Sequence, residues 1–205
     1  MKLHPLLLMA ISFVTPLIAN DKPPCCREVP SAGAYTDRSL YQLESAWTSD
    51  VNRQIKLGVL RGRPQVLALF FTSCEYACPL TVDAMQRIEK GLPAGLRGQV
   101  DFLLVSMDSE RDTPEMLQAY RKKQHLGTEH WTLLRGAPDD VRELAALLGV
   151  NYQRDARGQF AHSNVITVLN AEGEIVHQQT GMAGDVSGTL AVIAKLFPEK
   201  TAPIR

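Results

Sequence analysis

Residues Gln65–Gly91 read QVLALFFTSCEYACPLTVDAMQRIEKG and place a strand, a loop and a helix in succession. The continuous apolar run Gln65–Phe71 is typical of a fully buried parallel strand. Pro79–Gly91 has proline at its start and glycine at its end, which predicts a helix. Cys74 and Cys78 lie between these two elements. Such a pair can serve redox exchange, metal binding or a structural bridge.

Alternating strands and helices continue on both sides of this unit. Further strands are predicted at Val100–Ser106, Trp131–Leu134, Val165–Leu169 and Glu174–Gln179, and a short strand or hairpin at Leu40–Leu43. Helices are predicted from Asp112 to about Leu126, at Pro138–Leu148, and from Asp185 or Ser187 to about Phe197. The order β-α-β-α-(β-α)-β-β-α joins parallel strands by crossover helices before a closing hairpin and helix. We therefore predict an α/β fold, a thioredoxin-like three-layer sandwich with an inserted β-α unit and an N-terminal extension.

The N-terminus, residues 1–19, reads MKLHPLLLMAISFVTPLIA and has the features of a secretory signal peptide. Lys2 supplies a positive charge, Leu6–Val14 is apolar, and cleavage is predicted near Ala19 or Asn20. The apolar stretch is shorter than the about 20 residues that span a bilayer, which favours a cleaved signal peptide. The alternative is a short anchor with membrane association. We expect an exported protein, either periplasmic or facing the periplasm at the inner membrane.

The remainder of the chain divides into a linker and one domain. Residues 20–39 are polar and rich in Pro, Gly and Ser, which predicts a flexible lead-in. Residues 40–200 then form one thioredoxin-like domain, which suits a chain of 205 residues. The formal net charge is zero and no basic run is present, which argues against a nucleic acid partner.

The four cysteines form two pairs of different character. An oxidising compartment favours disulfides unless a metal or a reductant intervenes. The adjacent Cys25 and Cys26 can bridge each other only with strain. We interpret them as an idle tail, with an extra copper or redox site as the alternative.

Cys74 and Cys78 occupy the place where α/β proteins put their ligand sites, the carboxyl end of a strand. Pro79 disfavours the helical conformation for the residue before it, so Cys78 is predicted to be the N-cap of the helix. At that position the unpaired N–H groups and the positive helix end would stabilise a thiolate. This placement favours a functional pair over a structural bridge.

A histidine is predicted to join the pair. Thioredoxin-type exchange uses Cys-x-x-Cys and a proline that faces it, whereas here three residues intervene and the stretch 160–165, FAHSNV, contains His162 and no proline. In this fold that stretch lies beside the N-terminus of the first helix, so two thiolates and one imidazole converge. Thiolates favour copper(I), and imidazole accommodates copper in either oxidation state. These features favour His162 as a ligand beside Cys74 and Cys78 rather than as a surface residue.

Three motifs in order carry a family resemblance. Thr72–Pro79, TSCEYACP, resembles the Cys-x-x-x-Cys-Pro motif of the Sco/SenC family. Ser106–Pro114, SMDSERDTP, is similar to that family's Ser-x-Asp-Pro-x-Arg-Asp-Thr-Pro segment, with Ser109 in place of proline. Phe160–Ser163 and the following strand resemble its histidine loop and hairpin. The resemblance covers roughly residues 60–182.

The resemblance implies a membrane-associated or exported copper-binding protein. Such proteins assist assembly of the dinuclear copper centre of cytochrome c oxidase, as copper donors, as thiol reductants, or as both. It also implies Cys74, Cys78 and His162 as the copper ligands, with Asp108 and Arg111 near the site. The implied partners are the copper-centre subunit of the oxidase or another copper protein, and a thioredoxin-like reductant.

Two other classes of function remain open at this stage. An exported thiol-disulfide oxidoreductase or peroxiredoxin-like enzyme would use Cys74 and Cys78 as its catalytic redox pair. A thioredoxin-fold binding module would keep the pair as a structural bridge. Copper content after anaerobic loading separates the chaperone from both.

Overall fold

The computed structural model describes residues 35–154, 160–181 and 184–197. Its strands are β1 Trp47–Ser49, β2 Gln54–Ile55, β3 Gln65–Phe70, β4 Asp101–Ser106, β5 Trp131–Arg135, β6 Tyr152–Arg154, β7 Phe160–His162, β8 Val165–Leu169 and β9 Ile175–Thr180. Its α-helices are α1 Ala77–Gly91, α2 Pro114–Lys123, α3 Pro138–Leu147 and α4 Ser187–Lys195. Two 3-10 turns lie at Leu40–Gln42 and Leu57–Leu60.

Seven of these strands form one mixed sheet in the order β2-β1-β5-β4-β3-β8-β9. Strands β3, β4 and β5 are parallel neighbours, and the remaining pairings in the sheet are antiparallel. The parallel strands are joined through α1 and α2, as the predicted crossovers require. The predicted α/β fold, including the added β5-α3 unit before the closing hairpin, is confirmed.

The centre of the sheet positions the cysteine loop. All six residues of β3 are buried, which its continuous apolar sequence predicts. Phe70 is paired with Ser106, so β3 and β4 end at the same level. The N–H of Met107 donates to the carbonyl of Phe70 at 2.8 Å. The loop after β3, residues 71–76, therefore lies beside the loop after β4, residues 107–113.

Local signals explain where the helices begin and how they pack. The hydroxyl of Thr113 accepts the N–H of Met116 at 3.4 Å, and Pro114 occupies the first helical position of α2. Helices α1 and α4 pack together, because a Cβ built at Gly91 would lie 2.8 Å from Leu190 Cδ1. The glycine that ends α1 thus also permits close helix contact.

The N-terminal part of the domain differs from its prediction. The predicted strand or hairpin at Leu40–Leu43 is wrong, because the Ser39 hydroxyl accepts the N–H of Tyr41 and starts a 3-10 turn instead. The antiparallel pairs β1–β2 and β6–β7 were not predicted, since each strand has three residues or fewer. Strands this short carry too little alternation to be recognised.

The β8–β9 turn holds the start of the domain. The Ser39 hydroxyl donates to the carbonyl of Glu172 at 2.5 Å. Gly173 has a positive φ of 83°, and a Cβ there would lie 2.6 Å from the ring of Tyr41. Residues 35–39, the end of the predicted lead-in, are therefore part of the folded domain.

The predicted signal peptide, Cys25 and Cys26 lie outside the described residues. Within the described ranges, none of the helices has the length and apolar character needed to cross a membrane.

Candidate metal centre

Cys74 lies in the loop that connects β3 to α1. Its N–H donates to the carbonyl of Phe71 at 3.2 Å, which turns the chain away from the sheet. Its sulfur accepts the N–H of Cys78 at 3.2 Å, and the Cys74 residue is half-buried. The first N–H groups of a helix have no partner within the helix. Cys74 therefore supplies a sulfur cap to the first turn of α1.

Cys78 is inside the helix and not at its cap. The helix begins at Ala77 with Tyr76 as N-cap, so the prediction of Cys78 as N-cap is wrong. Proline at the third helical position is tolerated because its missing N–H would have no partner there. The sulfur that accepts an N–H of the first turn is that of Cys74, and the donor is the N–H of Cys78. The two cysteines therefore have the reverse of their predicted roles.

The Cys78 thiol is deeply buried, at 1% exposure. Burial raises the pKa of Cys78 well above its usual value, and a hydrogen bond to the Phe71 backbone opposes this only in part. The neighbouring Cys74 and Asp112 raise the pKa of Cys78 further. Burial thus opposes the predicted thiolate at Cys78, because desolvation disfavours the charged form of a thiol. A cation beside this sulfur would favour its deprotonation.

A buried carboxylate joins the two loops at the site. Asp112 is fully buried and accepts the N–H of Thr72 at 3.0 Å and its hydroxyl at 2.5 Å. It also accepts the hydroxyl of Ser106, the last residue of β4, at 2.5 Å. Sequence reasoning assigned Asp112 to a helix cap, a role that Thr113 fills. The sequence feature that could have identified Asp112 as a site residue is its spacing from Ser106 within one motif, since both residues flank the loop next to the cysteines.

Asp108 and Arg111 support the same loop. Asp108 is 1% exposed and forms an ion pair with Arg111. The N–H of Asp108 donates to the hydroxyl of Ser106 at 3.0 Å, and its carbonyl accepts the N–H of Asp112 at 2.9 Å. These contacts fix the course of the loop after β4. The pair is thus placed one loop away from the cysteines, in a supporting position.

Tyr120 is a further site residue that sequence reasoning missed. It is buried in α2, and its ring lies 4.9 Å from that of Phe70, the last residue of β3. Within the described ranges its hydroxyl has no hydrogen-bond partner. Burial raises the pKa of Tyr120, and nearby Cys78, Cys74 and Asp112 raise it further. The sequence offers only its place in a predicted helix, which does not distinguish a site residue from a core residue.

His162 is the last residue of β7, where it pairs with Tyr152 of β6. Strand β7 contacts the cysteine loop, because the rings of Phe160 and Phe71 lie 5.2 Å apart. The structure therefore brings the backbone segment that contains His162 to the end of the sheet where Cys74 lies. The side chain of His162 lies outside the described part of the structure.

The described side chains offer two sulfurs with unequal environments. Cys74 and Cys78 are both free thiols. Among the side chains that the structure describes, no group of three or more His, Cys, Asp or Glu is arranged to hold a metal ion. A thiol in the loop before α1 and a thiol in its first turn, joined through the Cys78 N–H, can bind a soft cation together or oxidise to a disulfide.

Comparisons with known proteins agree with this architecture. The SCO1/SenC family model matches residues 41–197. A protein of Stutzerimonas stutzeri, whose name ascribes copper binding to it, is 26% identical over 174 residues, which are 83% of each chain.

Solved structures show the same fold. Copper-bound ScoI of Arabidopsis thaliana is 23% identical with a TM-score of 0.63, and the match covers 76% of this chain and 96% of that one. BsSco, studied for a disulfide switch and described as a member of the Sco family of cytochrome c oxidase assembly proteins, is 19% identical with a TM-score of 0.67. That match covers 80% of this chain and 98% of BsSco. The predicted thioredoxin-like α/β fold is confirmed by these similarities.

Proposed function

Because the chain belongs to the SCO1/SenC family, we propose that it is a copper chaperone that binds one copper ion through Cys74, Cys78 and His162 and delivers it to a copper protein. The observation that carries this proposal is the hydrogen bond from the Cys78 N–H to the Cys74 sulfur. It joins two soft donor residues, one in the loop before α1 and one in the first turn of that helix. Two thiolates and an imidazole suit copper in either oxidation state.

The two sulfurs have different parts in binding and release. Cys78 is buried and gives up its proton when a cation binds, so binding releases a proton and strengthens as the pH rises. Cys74 is half-buried, and its sulfur accepts the N–H of Cys78. An incoming ligand from the target therefore replaces Cys74 before Cys78, because only the former meets solvent.

His162 is the third proposed ligand. The contact between Phe160 and Phe71 supports it, since it brings β7 to the loop that carries Cys74. Neutral imidazole binds metal and protonated imidazole does not, so this ligand leaves first on acidification. A site with three protein ligands leaves a coordination position on the metal for a ligand from the target protein.

The proposed partner is the copper-centre subunit of cytochrome c oxidase or another copper protein. The description of BsSco as an oxidase assembly protein supports the first of these. The proposed location is the periplasm or the periplasmic face of the inner membrane. The signal-like sequence of residues 1–19 supports export, and we assign Cys25 and Cys26 to a tail outside the copper site.

Thiol reduction is the second candidate function, and the unequal burial of the two thiols favours it. The Cys74 thiolate would attack a target disulfide and release one target thiolate. Cys78, after giving its proton to the released target thiolate, would then attack the Cys74 sulfur, which frees the second target thiolate and leaves a Cys74–Cys78 disulfide. Two electrons pass to the target, and a thioredoxin-like dithiol must return them.

Copper content after anaerobic loading tests the chaperone proposal. We expect one copper per reduced chain. The variant with Cys25→Ser and Cys26→Ser should keep it, and the variant with Cys74→Ser and Cys78→Ser should lose it. Loss of all copper from the first variant would overturn the site assignment. Stoichiometric reduction of a target disulfide by a protein that retains no copper would favour the thiol reductase function over the copper chaperone function.

A further inference from the structure

Tyr76 lies between the two cysteines and is the most exposed large apolar side chain that the structure describes. Its exposed fraction is 72%, against 63% for Val51, the next in order. To the other described residues its ring makes no aromatic or cationic contact and its hydroxyl makes no hydrogen bond. Tyrosine is normally at least partly buried, because its ring is large and apolar. Packing within the domain therefore gives no reason for a tyrosine at this position.

The place of Tyr76 at the start of α1 gives no reason either. Tyr76 is the N-cap of the helix, and its side chain makes no capping hydrogen bond. N-caps are usually Ser, Thr, Asp or Asn, whose side chains accept an N–H of the first turn. Here the Cys74 sulfur accepts the N–H of Cys78 instead. Tyr76 thus neither packs nor caps, and a residue that breaks local rules without a structural gain indicates a functional site.

Tyr76 is two residues from the cysteine that meets solvent. Two residues span at most about 7 Å of chain. Cys74 is half-buried and Cys78 is buried, so an incoming molecule reaches Cys74 first. A typical protein–protein contact covers about 800 Å² on each partner, which corresponds to a disc of roughly 16 Å radius. A protein that brings its own ligand to the Cys74 sulfur therefore also covers Tyr76.

The chemistry of the side chain indicates the kind of surface that it meets. Tyrosine combines a large, rigid apolar ring with a polar hydroxyl at its tip, and it is enriched among the residues that contribute most to binding at protein interfaces. A small chelator or a small disulfide reaches the Cys74 sulfur without any need of the ring. A contribution of Tyr76 to binding is therefore expected with protein targets and not with small reagents.

We propose that Tyr76 is the residue through which a target protein docks beside Cys74. The target would present an apolar surface next to its own copper ligand or disulfide, and the ring of Tyr76 would pack against that surface. This proposal rests on the proposed function and names the kind of surface that the target carries. In copper transfer, a bond from the target's ligand to copper forms as the bond from the Cys74 sulfur breaks, and no electron moves. Tyr76 is a docking residue that leaves this exchange at the sulfur unchanged.

Paired rate measurements on a protein target and on a small reagent test the docking role. The full chain, with Cys25→Ser and Cys26→Ser in every variant, is loaded with copper(I). It is then mixed, below saturation, with the copper-free metal-binding domain of the oxidase subunit or with bathocuproine disulfonate. We expect Tyr76→Ala to lower the rate constant for the protein target about 10–30-fold, as for the loss of an interface hot spot. Its copper content and its rate with the chelator should be unchanged, because both depend on the copper ligands.

The variants are chosen to keep the cysteines in place. Alanine replaces Tyr76 because a serine N-cap would take the Cys78 N–H from the Cys74 sulfur. Tyr76→Phe keeps the ring and should keep most of the rate, and a loss as large as in Tyr76→Ala would contradict the apolar contact. The control is Val59→Ala, which should leave every rate unchanged. Val59 is 51% exposed but precedes β3, whereas the cysteine loop follows that strand.

The same variants are compared in a second arm without copper. The reduced chain is mixed with the oxidised form of the same domain or with glutathione disulfide. Equal rates of the unsubstituted chain and Tyr76→Ala with the protein target overturn the proposal, as does an equal loss with the target and the small reagents. Absence of both transfer and reduction with the target has the same consequence. A chain that holds no copper overturns the chaperone function alone, because the second arm still measures the part of Tyr76.

Discussion

The N–H of Cys78 donates to the sulfur of Cys74 at 3.2 Å, so the helix N-terminus acts on the half-buried cysteine and not on the buried one. Cys78 has the opposite environment, since its burial raises the pKa of its thiol. One cysteine is thereby prepared to meet a ligand or a target, while burial favours the neutral form of the other.

The first prediction concerns stability at alkaline pH. The pKa of Cys78 in the folded protein lies above the unfolded value of about 8.5, so above that pH the native state binds more protons than the unfolded state. The free energy of unfolding of the reduced protein should therefore fall as the pH rises from about 8.5 to about 10. The slope from one such group is at most about 1.4 kcal/mol per pH unit. Urea unfolding under reducing conditions measures it.

The matched variants for this measurement are Cys78→Ala and Cys74→Ala. Cys78→Ala should lose the slope even though its stability is lower at every pH. Cys74→Ala should retain it, because burial is the largest cause of the shift at Cys78. Tyrosines in the unfolded chain, with an ordinary pKa of about 10, begin to ionise toward the upper limit, so the contribution of Cys78 is the difference in slope between the two variants. An identical slope in both variants would contradict the assignment.

The second prediction concerns the carboxylate that joins the two loops. Asp112→Asn keeps the size of the side chain but turns one acceptor into a donor that faces the hydroxyl of Thr72 or Ser106. We expect a loss of about 2 to 3 kcal/mol in the free energy of unfolding, as for a buried hydrogen bond to a charged group. Copper affinity should fall as well, because the carboxylate fixes the loop beside the cysteines.

The control for Asp112→Asn is Asp83→Asn. Asp83 is exposed on α1 and forms an ion pair with Arg87. Its loss should change stability by less than about 1 kcal/mol, as for surface ion pairs. Urea denaturation gives both values. Equal effects of the two substitutions would show that the buried network has no special part in stability.

The third prediction separates copper binding from dithiol exchange. His162→Ala should weaken copper binding about 10–100-fold or more, because a three-ligand site loses one ligand. Formation of the Cys74–Cys78 disulfide should be unaffected, since it needs only the two sulfurs. Competition with a chromophoric chelator measures the affinity, and the reduction potential reports the disulfide. In cells we expect lower cytochrome oxidase activity, with partial rescue by added copper.

His177→Ala provides the comparison for this substitution. His177 lies on β9 and its ring contacts the hydroxyl of Thr189 at 3.2 Å, within the β9–α4 contact. It should leave copper affinity unchanged. Unchanged affinity in His162→Ala together with lost disulfide reductase turnover would favour the enzyme over the chaperone.

The fourth prediction concerns processing of the N-terminus. The exported protein should begin close to Asn20 or Asp21 and fractionate with soluble periplasmic material, because the apolar stretch before it is too short to span a bilayer comfortably. Intact mass and N-terminal sequencing of the exported protein give the answer. A full-length mass in the membrane fraction would identify residues 1–19 as an anchor.

Sequence alone determined the central architecture and the candidate ligands. The run Gln65–Phe71 is apolar at every position except its first. Such a run is typical of a strand that is covered on both faces. Proline and glycine bound the helix that follows, and periodicity identified the later strands and helices. These are local signals, so a single chain shows them directly.

The tertiary structure decided which cysteine the helix end serves. Whether Cys74 or Cys78 receives the free N–H depends on the turn made by residues 71–76, a backbone path that no local pattern specifies. The burial that raises the pKa of Cys78 comes from elements distant in sequence. Desolvation is a property of the whole packed environment, so it is absent from any short stretch of sequence.

The same reason explains why the sequence did not reveal that Asp112 and Tyr120 lie near the cysteines. Both belong to patterns that predict a helix, and both face the cysteine loop only because β3 and β4 pair in register and end at Phe70 and Ser106. Sequence determines which residues can ionise or donate, since that is fixed by their chemistry. Tertiary structure determines which of them are dehydrated and adjacent, because solvation and Coulomb interactions depend on distance in space rather than on separation along the chain.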